Sequence, residues 1–386
     1  MRAYAVLGAG LMGRAVAKDL LRSETDASVT LMDFREDVLE GVAKEIAQER
    51  LRTESLDIRN RAASAEKLKG HSAVVAALPH AQSMAGLEAA ITAGVPIVDL
   101  VGSRPELKRG LDREAREAGV LVLPGLGVAP GLSNVLVARG VEALNETHEA
   151  VIYVGGIPRR RRPPLEYETV YSLVSMFGAV SRPARMWRNG LETTAEPMTG
   201  LELLDFPEPI GSLEAYYTDG LASLALTMPG RVRDNLEEKT LRYPGFADRV
   251  GFLKSCGLLD DSAVDLEGVA VVPRDLLIGV LTPKLTLGPE GDILVMRVVV
   301  RGDAEGQART HTFDLFDFMD PASGETAMAR TTGFPAAIAA RMMARGQIME
   351  RGVRFPEELF GSELGDELLS ELAARGVQVT HRVEIT

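Results

Sequence analysis

Cysteine is almost missing from this 386-residue chain: Cys256 is the only one. An internal disulfide is therefore excluded, and so is a metal site built from cysteine thiolates. Histidine does not fill the gap, because none of the five is followed by another at the four-residue step of helical ligands. No resident metal is expected. Positive charge is also short, with 43 Lys and Arg against 55 Asp and Glu and a formal net charge of −12. Nucleic-acid phosphates repel such a chain, so nucleic acid is not an expected partner. No apolar run approaches the roughly 20 residues of a membrane-spanning helix, and no membrane partner is expected. The N-terminus lacks the basic-then-apolar order of a secretory signal. Together with the single cysteine, this points to the reducing cytoplasm.

What is present is the composition of a globular protein, 46% hydrophobic and 25% charged. At 386 residues the chain exceeds what one core normally organises, so about two domains are expected.

Residues 8–13 read GAGLMG. Glycine is common here, with 38 residues, so the spacing alone decides nothing and its surroundings must. Ala3–Leu7 is an apolar run of strand length. From Arg14 to Leu21, Val16, Ala17, Leu20 and Leu21 share one helical face. The glycines thus occupy a strand-to-helix turn. Gly8 permits the tight bend, Gly10 lets backbone approach a pyrophosphate, and Gly13 lets helix and strand pack closely. Leu11 and Met12 stand between them, where the helix N-terminus offers its N–H groups to phosphate. A second strand, Ser28–Met32, ends in Asp33, the place of a carboxylate that holds the adenosine ribose hydroxyls and repels a 2′-phosphate. NAD is the expected cofactor. Arg35 opposes this preference, since a guanidinium there could receive that phosphate. A plainer role for Asp33 is to cap a helix beginning near Glu36.

The alternation continues with strands at Ala73–Leu78, Pro96–Leu100 and Val120–Leu123, and helices at Ala81–Ala93 and Glu106–Ala118. This order predicts a Rossmann-type, doubly wound parallel sheet with ligands at the carboxyl ends of its strands. Leu78, Pro79 and the Pro124–Gly131 loop, with Gly127 and Pro130, become candidate walls for the cofactor, and Asp57 a candidate contact to adenine. The same Gly- and Pro-rich loop also reads as a hinge before a helix at Leu132–Leu144. Beyond residue 149 the pattern changes to long alternating strands at Ile293–Arg301 and Ala308–Phe318, turning through 302–306. Helical stretches are expected at Phe246–Leu259, Pro273–Leu281 and Pro335–Arg345. The fold class is therefore α/β with an added α+β substrate and dimerisation domain, its sheet largely antiparallel.

Several segments are more specific. GLGVAPGLSN (125–134), YVGGIP (153–158), PPLEY (163–167), KTLRYPGFAD (239–248), FLKSCGLL (252–259) and TAMARTTGFPAAIAA (326–340) resemble the saccharopine dehydrogenase family. VGGIP and PPLEY followed by LEAYYTDGLASLALTMP (213–229) look closest to its bacterial L-lysine 6-dehydrogenase branch. The resemblance runs essentially end to end. It implies a dinucleotide-binding domain over 1–128, a substrate and dimerisation domain over 129–325, and a helical return over 326–386 that packs on the first. It also implies NAD-dependent oxidation of an amine on an amino-acid skeleton, and for that branch the removal of the lysine ε-amino group to give a semialdehyde that cyclises. Saccharopine or carboxyspermidine-type chemistry on a secondary amine is the alternative. A non-catalytic NAD sensor or scaffold is the reading from another class, and a homodimer or larger homo-oligomer is expected.

Such chemistry needs a neutral amine, a hydride acceptor and an anchor for the substrate carboxylate. A planar guanidinium suits the carboxylate, with Arg242 in TLRYPG first and Arg330 in MARTTG second. Candidates for the base are His80, Glu166, Tyr171, Asp219 and His311, with Asp219 also a candidate contact to substrate. His311 reads as a solvent-facing strand residue. The run Arg159–Arg162 reads as a solvated loop, or as a receptor for an acidic substrate.

Overall fold

The computed structural model describes residues 2–386, which divide into two compact units. The first comprises the chain up to Leu144 together with Ala222–Arg231 and Ala329–Gln378. Its strands are β1 (Ala3–Leu7), β2 (Ser28–Asp33), β3 (Leu51–Ser55), β4 (Ala73–Ala76), β5 (Ile97–Asp99) and β6 (Leu121–Pro124). They lie in the order β6-β5-β4-β1-β2-β3, all parallel, and a two-residue strand at Gly352–Val353 extends the sheet beside β6. This is the doubly wound arrangement, with its order reversing between β1 and β4. Strands β1, β4, β5 and β6 read as apolar runs because helices cover both faces of the sheet. β3 escaped the sequence reading because it is an edge strand with mostly exposed, polar residues.

Three sequence expectations in this unit are corrected. The helix expected over Glu106–Ala118 is two helices, Pro105–Arg109 and Asp112–Glu117, with Gly110 between them. The helix expected to begin at Pro335 begins at Ala327 and runs to Ala344. Its Gly333 approaches the helix Leu11–Ser23 so closely that a Cβ there would lie 3.2 Å from the Ala15 methyl. Arg341 of the Ala327–Ala344 helix also binds the buried Glu24 carboxylate at the end of Leu11–Ser23 at 3.1 Å, and Arg375, at the end of the helix Glu363–Ala374, binds Asp19 at 2.6 Å. Finally, the break between units falls after Leu144 rather than 128, because the helix Leu132–Glu142 is buried along most of its length within the first unit.

The second unit comprises Asn145–Leu221, Val232–Met328 and Val379–Thr386. Its strands are β7 (Glu146–Pro158), β8 (Ala184–Arg188), β9 (Leu191–Ala195), β10 (Glu202–Phe206), β11 (Gly211–Tyr217) and β12 (Val232–Arg242). A small ribbon of β13 (Val264–Leu266) and β14 (Val269–Val271) follows, then β15 (Asp292–Ala304) and β16 (Gln307–Phe318). The main sheet runs β10-β11-β12-β7-β15-β16 and closes on a terminal strand, Val379–Ile385, with β8 and β9 attached to β12. All its pairings are antiparallel except β12 with β7. The terminal strand corrects the helical return: 379–386 belongs to this sheet and not to the first unit. The β15–β16 turn is also tighter than expected. Only Glu305 and Gly306, at φ +56° and +77°, connect Ala304 to its partner Gln307, as in the primed turns that suit twisted hairpins.

One face of this sheet carries an apolar cluster of Ile157, Leu213, Ala215, Leu241, Ile293 and Val295. On the opposite face, the two-residue period places Glu238, Thr240 and Arg242 of β12 beside Glu214 and Tyr216 of β11. That face is polar and yet largely buried.

Candidate active site

The glycine turn of the first unit has the geometry its spacing predicts. Gly8 sits at φ +98°, and a Cβ there would meet the Ala77 carbonyl oxygen at 2.4 Å. A Cβ on Gly13 would lie 1.8 Å from the Gly8 oxygen, so helix and strand touch through backbone. Gly10 differs, since a Cβ there would meet nothing within 4 Å. Two glycines are required by packing, and the third leaves open space at the N-terminus of the helix Leu11–Ser23. Leu11 beside it is exposed and Met12 half-buried. That fits a cradle for a pyrophosphate.

Asp33 ends β2 and points back at the turn: its carboxylate accepts from the Ala9 N–H at 2.8 Å. It also accepts from the Arg35 N–H at 3.0 Å and the Arg35 Nε at 3.3 Å. Burial would raise its pKa, but these donors outweigh burial and hold the carboxyl below its ordinary value. Asp33 is thus ionised, with the half-exposed Arg35 guanidinium beside it. Asp57 follows β3 on the surface and is taken by Arg59 at 2.8 Å. Leu78 and Pro79 follow β4, Leu78 half-buried against the Gly86 position and Pro79 exposed. In the loop after β6, the Gly127 N–H donates to the Pro130 carbonyl at 3.0 Å, and the Pro130 ring fills the position where Gly102 lacks a side chain. The loops after β5 and β6 therefore pack on one another within this unit.

In the second unit Arg242 is buried to 5% exposure at the end of β12. Its guanidinium lies 5.1 Å from the Tyr167 ring centroid and 5.5 Å from that of Phe246. Tyr216 stacks on the same Phe246, with ring centroids 6.3 Å apart. One Arg242 nitrogen donates to the Leu241 carbonyl at 2.7 Å, whereas its Nε and the hydroxyls of Tyr167 and Tyr216 are buried with no partner. Glu214, directly across the ladder, does not neutralise the arginine. It accepts from the Gly245 and Ala247 N–H groups at 2.8 and 2.6 Å and so caps the helix Phe246–Ser255. Burial drives the Tyr167 and Tyr216 phenols upward. The Tyr171 phenol is shifted the same way by the burial of its polar end, although the residue is 38% exposed, so all three stay protonated donors. Burial by itself would lower the Arg242 pKa, but the tyrosines and Glu238 hold it above the ordinary value.

Glu238 stands four residues before Arg242 on the same strand face. It is 4% exposed and accepts from the Thr218 hydroxyl at 2.6 Å. Burial, opposed by the Thr218 bond and increased by Asp219, pushes its carboxyl up to about 8.

The structure brings together three of the residues named from sequence, Arg242, Tyr171 and Asp219. The others have surroundings of their own. Arg330 lies in the first unit, its guanidinium donating to the Arg375 carbonyl at 3.2 Å. His80 is exposed in the first unit, 3.0 Å from the Ser103 hydroxyl. Glu166 is held between Arg161 and Arg249 at 3.4 and 3.3 Å and is not a free base. His311 is buried rather than solvent-facing, with its Nδ1 3.0 Å from His381. Arg160 and Arg162 pair with Glu290, and Arg162 also with Glu168, so the basic run is balanced locally. Glu146, His148 and Asp303 converge closely enough to suggest a metal, but His148 already binds Asp303 at 2.6 Å and Glu146 pairs with Arg233. Sequence reasoning missed Glu238, Tyr167 and Tyr216. The alternation Glu238-Thr240-Arg242 on one strand was the available signal.

Residues 4–123 match the saccharopine dehydrogenase NADP binding domain, and residues 127–377 the saccharopine dehydrogenase C-terminal domain. The chain belongs to the saccharopine dehydrogenase family. The mitochondrial alpha-aminoadipic semialdehyde synthase of Bos taurus is 24% identical, over 97% of this chain and 47% of that protein. The chain thus spans about half the length of the mammalian synthases it matches. The carboxyaminopropylagmatine dehydrogenase of Synechocystis sp. is 22% identical over 94% of each chain. The apo saccharopine dehydrogenase (L-Glu forming) of Saccharomyces cerevisiae superposes with a TM-score of 0.83 at 21% identity, covering 100% of both chains, a likeness of fold. A family of dehydrogenases and a pyridine-nucleotide-binding first unit follow. The family description names NADP, where Asp33 had led to NAD. Among the described residues, no helix is long and apolar enough to cross a membrane.

Proposed function

We propose that this chain is an amine dehydrogenase that prefers NAD and oxidises the ε-amine of L-lysine. The observation that carries the reading is Arg242, a buried guanidinium with an unpaired Nε beside two unpaired tyrosine hydroxyls. Buried donors without partners cost about 1–3 kcal/mol each, a cost that a bound carboxylate removes. The tyrosines, kept protonated by burial, orient that carboxylate and exclude water from it. In the first unit, the open Gly10 position and the Leu11–Ser23 helix N-terminus receive the pyrophosphate, and ionised Asp33 the adenosine ribose. A bound nicotinamide supplies the hydride acceptor. The amine must lose its proton before hydride departs, because an ammonium has no lone pair to expel it.

A second reading, oxidation of a secondary amine, is favoured by the near full-length match to a carboxyaminopropylagmatine dehydrogenase. NADH absorbance with lysine, ornithine, saccharopine and cadaverine separates the two. Lysine as the best substrate supports the first, saccharopine the second, and no turnover with any of them would leave a nucleotide-binding sensor as the surviving account.

A further inference from the structure

The Arg242 cluster is one-sided if its ligand carries only a carboxylate, because the same buried sheet face also holds an acid without a cation of its own. Glu238 projects from β12 two positions before Thr240 and four before Arg242. The Thr218 hydroxyl donates to it and also bonds the Thr240 hydroxyl at 2.7 Å. Gly220 packs against its carboxyl group so tightly that a Cβ there would lie 2.4 Å from the nearer oxygen. Asp219 is the other acid facing it, and Arg182 reaches Asp219 only at 3.7 Å. We propose that Glu238, with Asp219 beside it, receives the ammonium of a substrate's α-amino-acid end while Arg242 receives the carboxylate of that same end. The second unit then holds a receptor for a zwitterion, an inference that rests on the reading of Arg242 as a carboxylate anchor.

Glu238 and Arg242 project from the same face of β12 with only Thr240 between them on that face, and each feels the other's charge. An α-amino acid carries its ammonium and its carboxylate on one carbon, so such an end offers each of these two side chains its opposite charge. Burial and the neighbouring Asp219 keep the Glu238 carboxyl from ionising, and an ammonium placed between the two acids offsets that cost. Three further buried polar atoms, Arg242 Nε and the hydroxyls of Tyr167 and Tyr216, lack partners on the carboxylate side.

Binding would therefore be coupled to a proton. The empty site holds a neutral Glu238 carboxyl at pH 7, since its pKa stands at about 8. An incoming ammonium keeps its own proton, and the carboxyl releases one to solvent. The groups facing Glu238 are Thr218, Thr240, Asp219, Tyr171 and Arg242. The tyrosine is raised by burial and the arginine is held charged, so Glu238 governs the profile between pH 6 and 8.

The test is calorimetric binding of L-norleucine and of hexanoate to the full chain loaded with NADH, between pH 6 and 8. The two probes differ only in the α-amino group, and neither can be turned over. Norleucine affinity should rise by up to tenfold per pH unit with release of up to one proton near pH 7, while hexanoate affinity should not rise. Glu238→Gln should erase the norleucine advantage and the proton release while leaving hexanoate binding within threefold. Equal affinities of the two probes for the unaltered protein, or parallel pH profiles, would overturn the proposal without requiring any variant to fold. Failure to oxidise lysine alongside pH-dependent norleucine binding would instead sink the proposed reaction and leave the receptor standing.

Discussion

The backbone N–H of Ala9 donates to the Asp33 carboxylate across 2.8 Å, tying the glycine turn to the end of β2. Asp33 thus has a structural bond as well as the role toward the ribose proposed for it, and an alanine substitution would confound them. Asp33→Asn separates the two, because its side-chain oxygen still accepts from Ala9 while the charge that repels a 2′-phosphate is gone. The variant should unfold within a few degrees of wild type and lose most of its preference for NAD, by roughly tenfold in the ratio of kcat/KM values. Wild type that works tenfold better with NADP would mean that the neighbouring Arg35 decides the choice.

The three turn glycines predict three different outcomes. Gly10→Ala meets open space, so the protein should keep its stability and lose cofactor affinity, because the methyl occupies the room left for phosphate. Gly13→Ala would push its methyl into the Gly8 carbonyl, and Gly8→Ala would add both a clash and a left-handed φ. Those two should lower Tm by several degrees or prevent folding. Thermal unfolding with and without NADH distinguishes the cases, and a Gly10→Ala protein as unstable as Gly13→Ala would remove the assignment of that space to the ligand.

Much of the first unit was legible because its strands are buried on both faces and its turn has a fixed chemistry. Ala3–Leu7, Ser28–Asp33 and Ala73–Ala76 stand out as apolar runs, and glycine with an acid at the right distance needs no tertiary knowledge. β3 was hidden because an edge strand lacks that pattern. In the second unit the sequence revealed the long hairpin, since β15 and β16 are joined by two residues and pair along their whole length. It could not reveal that β11 and β12 place Tyr216 and Glu238 on the same buried face as Arg242, because register between strands some 20 residues apart is set by packing. The early start of the Ala327–Ala344 helix has a similar cause: Asp292, distant in sequence, accepts from the N–H groups of Ala327 and Met328 at 2.7 and 2.9 Å.

Glu238 also makes a prediction for stability of the ligand-free protein. Its folded pKa of about 8 lies above the ordinary value of 4.5. Between those values the folded protein holds a proton that the unfolded chain has released, so stability falls as pH rises across the window. Glu238→Gln does not titrate and still accepts from Thr218. Its Tm relative to wild type should therefore climb from pH 5 to pH 8 and level off above. Parallel Tm curves for the two proteins across that range would show that the Glu238 carboxyl is ionised throughout.

A buried carboxyl in the first unit tests a different kind of network. Glu357 is 1% exposed and accepts from Thr227 at 2.7 Å and from Ser223 and Asn134 at 3.1 Å, joining three separate stretches of that unit. Glu357→Ala removes the acceptor that three donors share, leaving Thr227 and Asn134 only their second bonds to Ser223, and the cost should be about 1–3 kcal/mol. Chemical denaturation should show a lower midpoint with an unchanged slope. A loss under 1 kcal/mol would mean that water replaces the carboxyl.

The carboxylate anchor is tested most directly by comparing substrates with and without a carboxylate. Arg242→Lys keeps the charge but removes the planar fork, and Arg242→Ala removes both. A charge-assisted pair contributes about 1.5–3 kcal/mol, so the alanine variant should lose roughly 10- to 100-fold or more in kcat/KM on lysine. Cadaverine has the same two amines and no carboxylate, and on it the loss should be several-fold smaller. The lysine variant should fall between, with its deficit mainly in KM, because a point charge attracts the carboxylate without orienting it. Arg242 also lies over the rings of Tyr167 and Phe246, so its removal can loosen the cluster itself. That possibility has its own signature: equal losses on lysine and cadaverine, with a matching drop in Tm, would show that Arg242 holds the rings in place and that the carboxylate is bound elsewhere.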